Sequence, residues 1–288
     1  MLWITLAIGS AIFLGFYDIS KKNALQKNAV WPVLFICSLT GAVLLVPVFV
    51  FKDIPVLSWR EHGLLCLKAA LVTGSWAFTY NAVSRMPLSI TSPIRASAPL
   101  FTIAMAISFM AERPSSMQWM GIAISLLSYV VMSVAGRRET GSYWRNPWVL
   151  AMFFGTFLGS CSGVYDKFLL QRMHFDPLVL QIWFSFYMVI IQGAIMMILW
   201  YPRRHEGSQF HFKWIILAVG IFLLIADRFY FLALHEEDAL VSVVTVIRRS
   251  NVVISFAGGL LFFGEKKGKL KVAAVAGILC GLIFIGLG

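Results

Sequence analysis

The chain has 288 residues, of which 59% are hydrophobic and 13% charged, with a net charge of +11. A soluble domain carries roughly 45–50% apolar and about 25% charged residues, so this composition excludes a fold whose main solvent is water. A basic excess of this size would point to nucleic acid in a soluble protein. Here the basic residues gather at the ends of apolar stretches, which is the pattern of membrane topology, and no nucleic-acid partner is expected.

Apolar stretches of about 20 residues, the length that crosses a ~30 Å hydrocarbon core at about 1.5 Å per residue, recur from end to end. We read ten: 2–20, 30–51, 63–84, 88–111, 116–136, 147–171, 177–200, 213–234, 239–263 and 269–288. The first has no basic lead-in and runs into Gly15-Phe16-Tyr17-Asp18 without a cleavage site, so it is read as a span and not as a signal peptide. Short connections between the spans leave no room for a soluble catalytic domain. Cys37, Cys66, Cys161 and Cys280 sit in or beside apolar segments with no CxxC or Cys/His spacing, so neither a metal site nor a disulfide framework is expected.

Taken alternately, the loops on one side carry Lys21, Lys22, Lys27, Arg85, Arg137, Arg138, Arg145, Arg203, Arg204, Lys213, Lys266, Lys267, Lys269 and Lys271. The other side carries Lys52, Arg60, Lys68, Arg113 and Arg172. Fourteen against five places the first group in the cytoplasm and both termini outside, an orientation that one missed span would invert.

The chain repeats itself. Gly15-Phe16-Tyr17-Asp18 in the first span is matched by Gly163-Val164-Tyr165-Asp166 in the sixth, and Ala7 and Ala11 by Gly155 and Gly159. Ser89, Ser92 and Arg95 in the fourth span correspond to Ser242, Thr245 and Arg248 in the ninth. Glu112-Arg113 and Glu265-Lys266 anchor that register, and Pro32 and Pro177 begin the second and seventh spans. The same order in both halves argues for duplication, with repeats at 1–140 and 141–288. Five spans per half is an odd number, so the second copy enters the membrane inverted. The expected fold is an all-α membrane protein of ten transmembrane helices in two inverted five-helix repeats, with a substrate site near the midplane between them.

With five-plus-five helices, about 290 residues and an acidic-basic dipeptide closing the fourth helix of each repeat, the whole chain resembles the EamA-like family of the drug/metabolite transporter superfamily. That superfamily also contains the nucleotide-sugar and triose-phosphate translocators. The resemblance implies a secondary transporter and leaves the substrate open.

A charged side chain inside a span is costly and so marks a functional candidate. Arg95 lies about seven residues into its helix, roughly 10 Å, and Arg248 about nine, roughly 14 Å, both too deep for easy snorkelling. With Ser92 and Thr245 they form polar stripes at i, i+3 spacing that would face each other across a cavity. Either these arginines bind substrate or they pair with Asp18, Asp166 or Asp227 and only hold the bundle together. Arg249 is turned some 100° from Arg248. Arg95, Lys167, Arg228, Arg248 and Arg249 outnumber Asp18, Asp166 and Asp227, leaving positive charge that favours an anion. Guanidinium groups hold carboxylate or phosphate by forked hydrogen bonds. The tandem Arg248-Arg249 also looks like the basic pair of the triose-phosphate translocators' ninth helix, which implies a phosphorylated substrate.

Tyr17-Asp18 and Tyr165-Asp166 could orient a ligand or carry a coupling proton, or equally set helix depth at the interface. Trp76, Tyr80 and Tyr230 are either cavity walls or packing. Small-xxx-small ridges (Ala7, Ala11, Gly15; Gly155, Gly159, Gly163; Ala273, Gly277, Gly281) let helices approach closely, within the bundle or in a dimer. Pro93 and Pro99 flank Arg95 and would bend its helix.

No Walker loop, HExxH pair, zinc spacing or GxSxG elbow supports an enzyme, and no cofactor or metal is expected. A channel is disfavoured because the symmetry is internal to one chain. The expectation is a transporter of a small anionic or phosphorylated metabolite. An exporter of amino acids or other zwitterions, or a flippase for a phosphate-bearing lipid, is the alternative. The partners expected are a small-molecule substrate and the lipid bilayer, with the chain a monomer or homodimer in a bacterial inner membrane.

Overall fold

The computed structural model describes residues 2–26, 28–85, 94–95, 97–135, 146–204, 209–262 and 269–288. Every regular element among them is helical. In chain order they are α1 (Leu2–Leu25), α2 (Val30–Phe51), α3 (Trp59–Arg85), α4 (Ala98–Met110), α5 (Ser116–Ala135), α6 (Pro147–Lys167), α7 (Pro177–Ile195), α8 (Ile215–His235), α9 (Val241–Arg249), α10 (Asn251–Phe262) and α11 (Lys269–Leu287). Wider π-helical turns extend α6 through Phe168–Arg172 and α7 through Met196–Trp200.

Among the described residues, seven helical stretches are long and apolar enough to cross a membrane: Leu2–Leu25, Val30–Phe51, Pro147–Arg172, Pro177–Trp200, Ile215–His235, Val241–Gly258 and Lys269–Leu287. Ala98–Met110 and Ser116–Val131 are apolar but shorter. The expected third span lies within α3, whose apolar character is diluted by Arg60, Glu61, Lys68 and Arg85.

Local chemistry sets where the helices begin. Asn146 accepts from the backbone of Trp148, and Asp176 from Leu178 and Val179, each followed by proline at the first helical position. Ser58 with Glu61 opens α3 and Ser115 with Gln118 opens α5, both as reciprocal capping boxes.

The largest contacts between helices run between the two halves of the chain. The first-half helix α1 packs on α8, α9 and α10; α2 on α7 and α8; α3 on α6 and α7; α4 on α6 and α9; and α5 on α11. Exchanging the halves relates most of these contacts: α1 on α8 becomes α6 on α3, α2 on α8 becomes α7 on α3, α1 on α10 becomes α6 on α4, and α2·α7 and α5·α11 map onto themselves, while the counterparts of α1·α9 and α4·α9 fall outside the described residues.

The small-residue ridges serve this internal packing. Gly155 and Gly159 lie against Ser75 of α3, and a Cβ at Gly155 would stand 2.7 Å from Thr79 Cγ2. Gly15 faces Ile254, while Gly277 and Gly281 face Ser128 and Ser125 of α5. On the facing helix, a Cβ at Gly121 would meet the Gly281 carbonyl at 2.6 Å. Gly121→Val should therefore force α5 and α11 apart and cost about 1–3 kcal/mol. Thermal unfolding in detergent checks this, and an unchanged midpoint would mean that the close approach is unimportant.

A charged central cavity

A cavity of about 740 Å³ lies between the halves, within the size range of small-molecule sites. Its wall runs from Lys68, Asp166 and Phe184 to Leu25, Asn28 and Val30, where α1 ends and α2 begins. We call these the Glu112 end and the Leu25 end of the bundle, after residues at its two extremities.

α1 supplies Tyr17, Asp18 and Lys21; α3 supplies Lys68, Trp76 and Tyr80; α6 supplies Asp166; α8 supplies Asp227 and Tyr230; α9 supplies Thr245, Arg248 and Arg249; and Arg95 enters from just before α4. Both arginine-bearing segments are broken at equivalent positions. Ser97 follows Ile94-Arg95 and Ser250 follows Ile247-Arg248-Arg249. Each serine has ψ within ten degrees of zero, and each donates its backbone N–H to the isoleucine three residues earlier, Ser97 at 3.1 Å and Ser250 at 2.9 Å. The turn ends one helical ladder and starts another. Pro99 therefore sits in the opening turn of α4, where a missing N–H costs nothing, and not within a continuous helix. Interrupted helices of this kind are tolerated at membrane depth where they line a cavity.

Among the described residues, the cavity wall holds five cations and three anions: Lys21, Lys68, Arg95, Arg248 and Arg249 against Asp18, Asp166 and Asp227. Three of the cations are paired. Arg248 binds Asp227 and lies 4.0 Å over the Tyr230 ring. Lys68 binds Asp166 and lies over the rings of Phe184 and Phe231. Lys21 is 3.9 Å from Asp18, whose other oxygen accepts from Asn251 Nδ2 at 2.6 Å. Arg249 donates only to a neutral group, the Arg95 carbonyl at 2.8 Å, and the described residues hold no carboxylate partner for Arg95 or Arg249.

Of the residues singled out from sequence, Tyr17, Asp18, Trp76, Tyr80, Arg95, Asp166, Thr245, Arg248 and Arg249 meet on this wall. The 100° between neighbouring arginines does not take Arg249 out of it: Arg249 reaches across to the Arg95 carbonyl on the same wall. Three do not join them. Tyr165 bonds the Leu64 carbonyl at 3.2 Å and stacks on Phe168. Lys167 is buried against Glu112 Oε1 at 2.7 Å and the Ala239 carbonyl at 2.8 Å. Arg228 is likewise absent from the wall. Ser92, Ser89 and Pro93, with Glu265 and Lys266, lie outside the described residues.

Lys68 corrects the reading that placed it among loop-end cations. The helix begins at Trp59, four residues before the expected span, so Lys68 lies nine residues, roughly 14 Å, along it and is only 2% exposed. Lys21, within α1 and on the cavity wall, leaves the other side's count for the same reason, and the loop tally becomes thirteen against four. Glu112, read from sequence as a closing marker, is a buried hub: it accepts from Val241 N at 2.6 Å, Ser242 N at 3.1 Å, the Ser242 hydroxyl and Lys167. Nothing in the local sequence marks it as buried, since its partners lie 55 to 130 residues away.

Comparison with known proteins agrees with this architecture. The model of the EamA-like transporter family matches residues 1–134 and 146–287. An uncharacterized transporter of Synechocystis sp. is 25% identical over 154 residues, covering 50% of this chain and 41% of the relative, so the match spans about four tenths of that protein. An uncharacterized protein of Methanocaldococcus jannaschii is 23% identical over 133 residues, covering 46% of this chain and 96% of the relative. One solved crystal structure shares the fold, with a TM-score of 0.77 over 99% of this chain and 98% of its own at 14% identity. With the family matched over both halves and apolar helices along its length, the chain is a multi-pass integral membrane protein of the EamA-like transporter family.

Proposed function

We propose that the protein is a secondary transporter that moves a small anionic metabolite, carboxylated or phosphorylated, by alternating access. The observation that carries this reading is the pair of arginines, Arg95 and Arg249, left without carboxylate partners on the cavity wall. Once the three ion pairs cancel, the described residues of the wall keep an excess of two positive charges. In a low-dielectric cavity this excess raises the local concentration of anions and is neutralised by a bound one. The forked donors of a guanidinium suit carboxylate or phosphate oxygens.

The proposed frame is ten spans in two inverted repeats, 1–140 and 141–288. The helix contacts that exchange between the halves and the paired breaks at Ser97 and Ser250 support it. In this frame the halves rock about the cavity, the Leu25 end faces the cytoplasm, and a bacterial inner membrane is the proposed location. The tandem Arg248-Arg249, with both members on the wall, supports kinship with the triose-phosphate translocators.

A zwitterionic cargo is the second reading, favoured by one observation. The Lys21 ammonium already rests 4.7 and 5.0 Å from the Tyr17 and Tyr80 ring centroids and beside Asp18, so this wall accepts an amine.

Thermal shift of the detergent-purified protein against sugar phosphates, nucleotide sugars, polyprenyl phosphates and amino acids separates the readings. A ligand at 100 times its dissociation constant should stabilise by about 2.7 kcal/mol. Stabilisation by phosphorylated compounds supports the proposal, a response to polyprenyl phosphates alone indicates a flippase, and a response to amino acids alone transfers the assignment to the second reading.

A further inference from the structure

The helix α9 has unlike ends. At its start, the Glu112 carboxylate accepts from the N–H groups of Val241 and Ser242 and from the Ser242 hydroxyl, satisfying backbone donors that a helix N-terminus leaves open. At its finish stand Arg248 and Arg249, followed by the break at Ser250. Nine residues at about 1.5 Å each make a rod of roughly 13 Å with a clasp at one end, cavity arginines at the other and a hinge beyond them.

Glu112 is aimed by the chain before it. Ala111 adopts the left-handed conformation at φ 54°, which an L-residue takes up only at some cost, and this turn carries Glu112 off the end of α4 toward α9. The clasp is closed from a third side by Lys167, whose ammonium binds both Glu112 and the Ala239 carbonyl just ahead of α9. Gln171, on the π-helical turn that follows, donates to the Leu234 and Glu236 carbonyls at the other end of the same connection. Next to Lys167 in the chain, Asp166 stands in the cavity wall and binds Lys68. One dipeptide thus joins an ion pair that meets the cavity to one that lies behind it.

We propose that Glu112 and Lys167 form the gate that shuts the cavity at the Glu112 end, and that α9 is the element the gate releases. The structure is the latched state. Opening swings the capped end of α9 away from α4 and α6 about Ser250, while the arginine end stays near the cavity. Glu112 and Lys167 are positioning residues: neither is on the cavity wall, and both act through α9. The inference rests on the cavity and on membership of a transporter family, and it is independent of the charge of the cargo.

Ser185, on the cavity wall eight residues into α7 from the Glu112 end, reports on the gate. A Ser185→Cys variant is exposed to a charged, membrane-impermeant methanethiosulfonate in right-side-out and in inverted vesicles. Labelling is read at its own peptide, so the native thiols do not interfere. With the latch intact, reagent should reach Cys at 185 faster from the Leu25 face. Adding Glu112→Ala should raise labelling from the Glu112 face at least ten-fold and leave the Leu25 face unchanged or slower. Equal increases from both faces would mean a merely loosened protein and would overturn the gate, as would no change from either. If Glu112→Ala fails to reach the membrane, Lys167→Met breaks the same pair while leaving the helix cap, and is judged by the same rule. No substrate is needed, so a silent ligand panel and a failed gate are separate results.

Discussion

Lys68→Met should destabilise the folded protein by about 3–5 kcal/mol, because it strands the Asp166 carboxylate in a site that is 3% exposed. The cost arises from the charge left behind and not from lost packing, since methionine still covers Phe184 and Phe231. Adding Asp166→Leu should therefore recover most of the loss, as replacing both members of a buried pair by apolar groups is often near neutral. Thermal or denaturant unfolding of the two variants in detergent decides the matter. A single variant as stable as wild type, or a double variant worse than the single, would mean that the pair is solvated through the cavity. The double variant should also be tested for ligand response, because removing the pair leaves the excess of positive charge unchanged.

Arg249→Ala should weaken binding of an anionic ligand by a factor of about 30 to several thousand, corresponding to about 2–5 kcal/mol for a lost charge-assisted contact. Arg95→Ala should act similarly. Arg249→Lys should recover little of the loss, because an ammonium supplies a point charge without the planar fork. Arg248→Ala is expected to combine weaker binding with lower stability, since it also leaves Asp227 without its partner. The measurement is the concentration dependence of the thermal shift, with the ligand-free midpoint recorded for each variant. Binding unaffected by removal of both Arg95 and Arg249 would assign these arginines to the helix breaks and move the site elsewhere.

Much of the architecture is legible in the chain because a hydrocarbon solvent leaves few options. Ten apolar stretches were expected, and the described helices fall on them, although α3 is too diluted by charge to count among the candidate spans, the fourth stretch is described only in part and the ninth is two helices. The break at Ser250 has no proline or glycine to announce it, since Asn251 and Val252 follow directly. The repeat offered the one available clue, because Ile94-Arg95 and Ser97 recur as Ile247-Arg248 and Ser250 at the spacing already found for the stripes. Arg95 and Arg248 could be picked out by depth, and Asp18 and Asp166 by the Tyr-Asp pair that recurs in both halves. Lys68 could not, because four residues of error in a helix start move a cation from snorkelling range to the middle of the bundle. Asp166 and Lys167 are adjacent in the chain, yet about 100° of helix rotation sends Lys167 to Glu112 and Asp166 to the cavity.

By itself, the sequence determined that the protein lives in a membrane and is helical, and it raised the expectation of a duplication with guanidinium groups at membrane depth. These properties follow from composition, length and self-similarity, all of which are local or periodic. Only the tertiary structure decided which charges are spent. Lys68 finds Asp166, Glu112 finds Lys167 and the start of α9, and Asp227 finds Arg248, through the relative rotation and register of helices far apart in the chain. Spacing along one helix fixes which residues share a face. What that face meets is fixed by packing between the halves, and so the absence of a carboxylate partner for Arg95 and Arg249 among the described residues is a property of the assembled bundle.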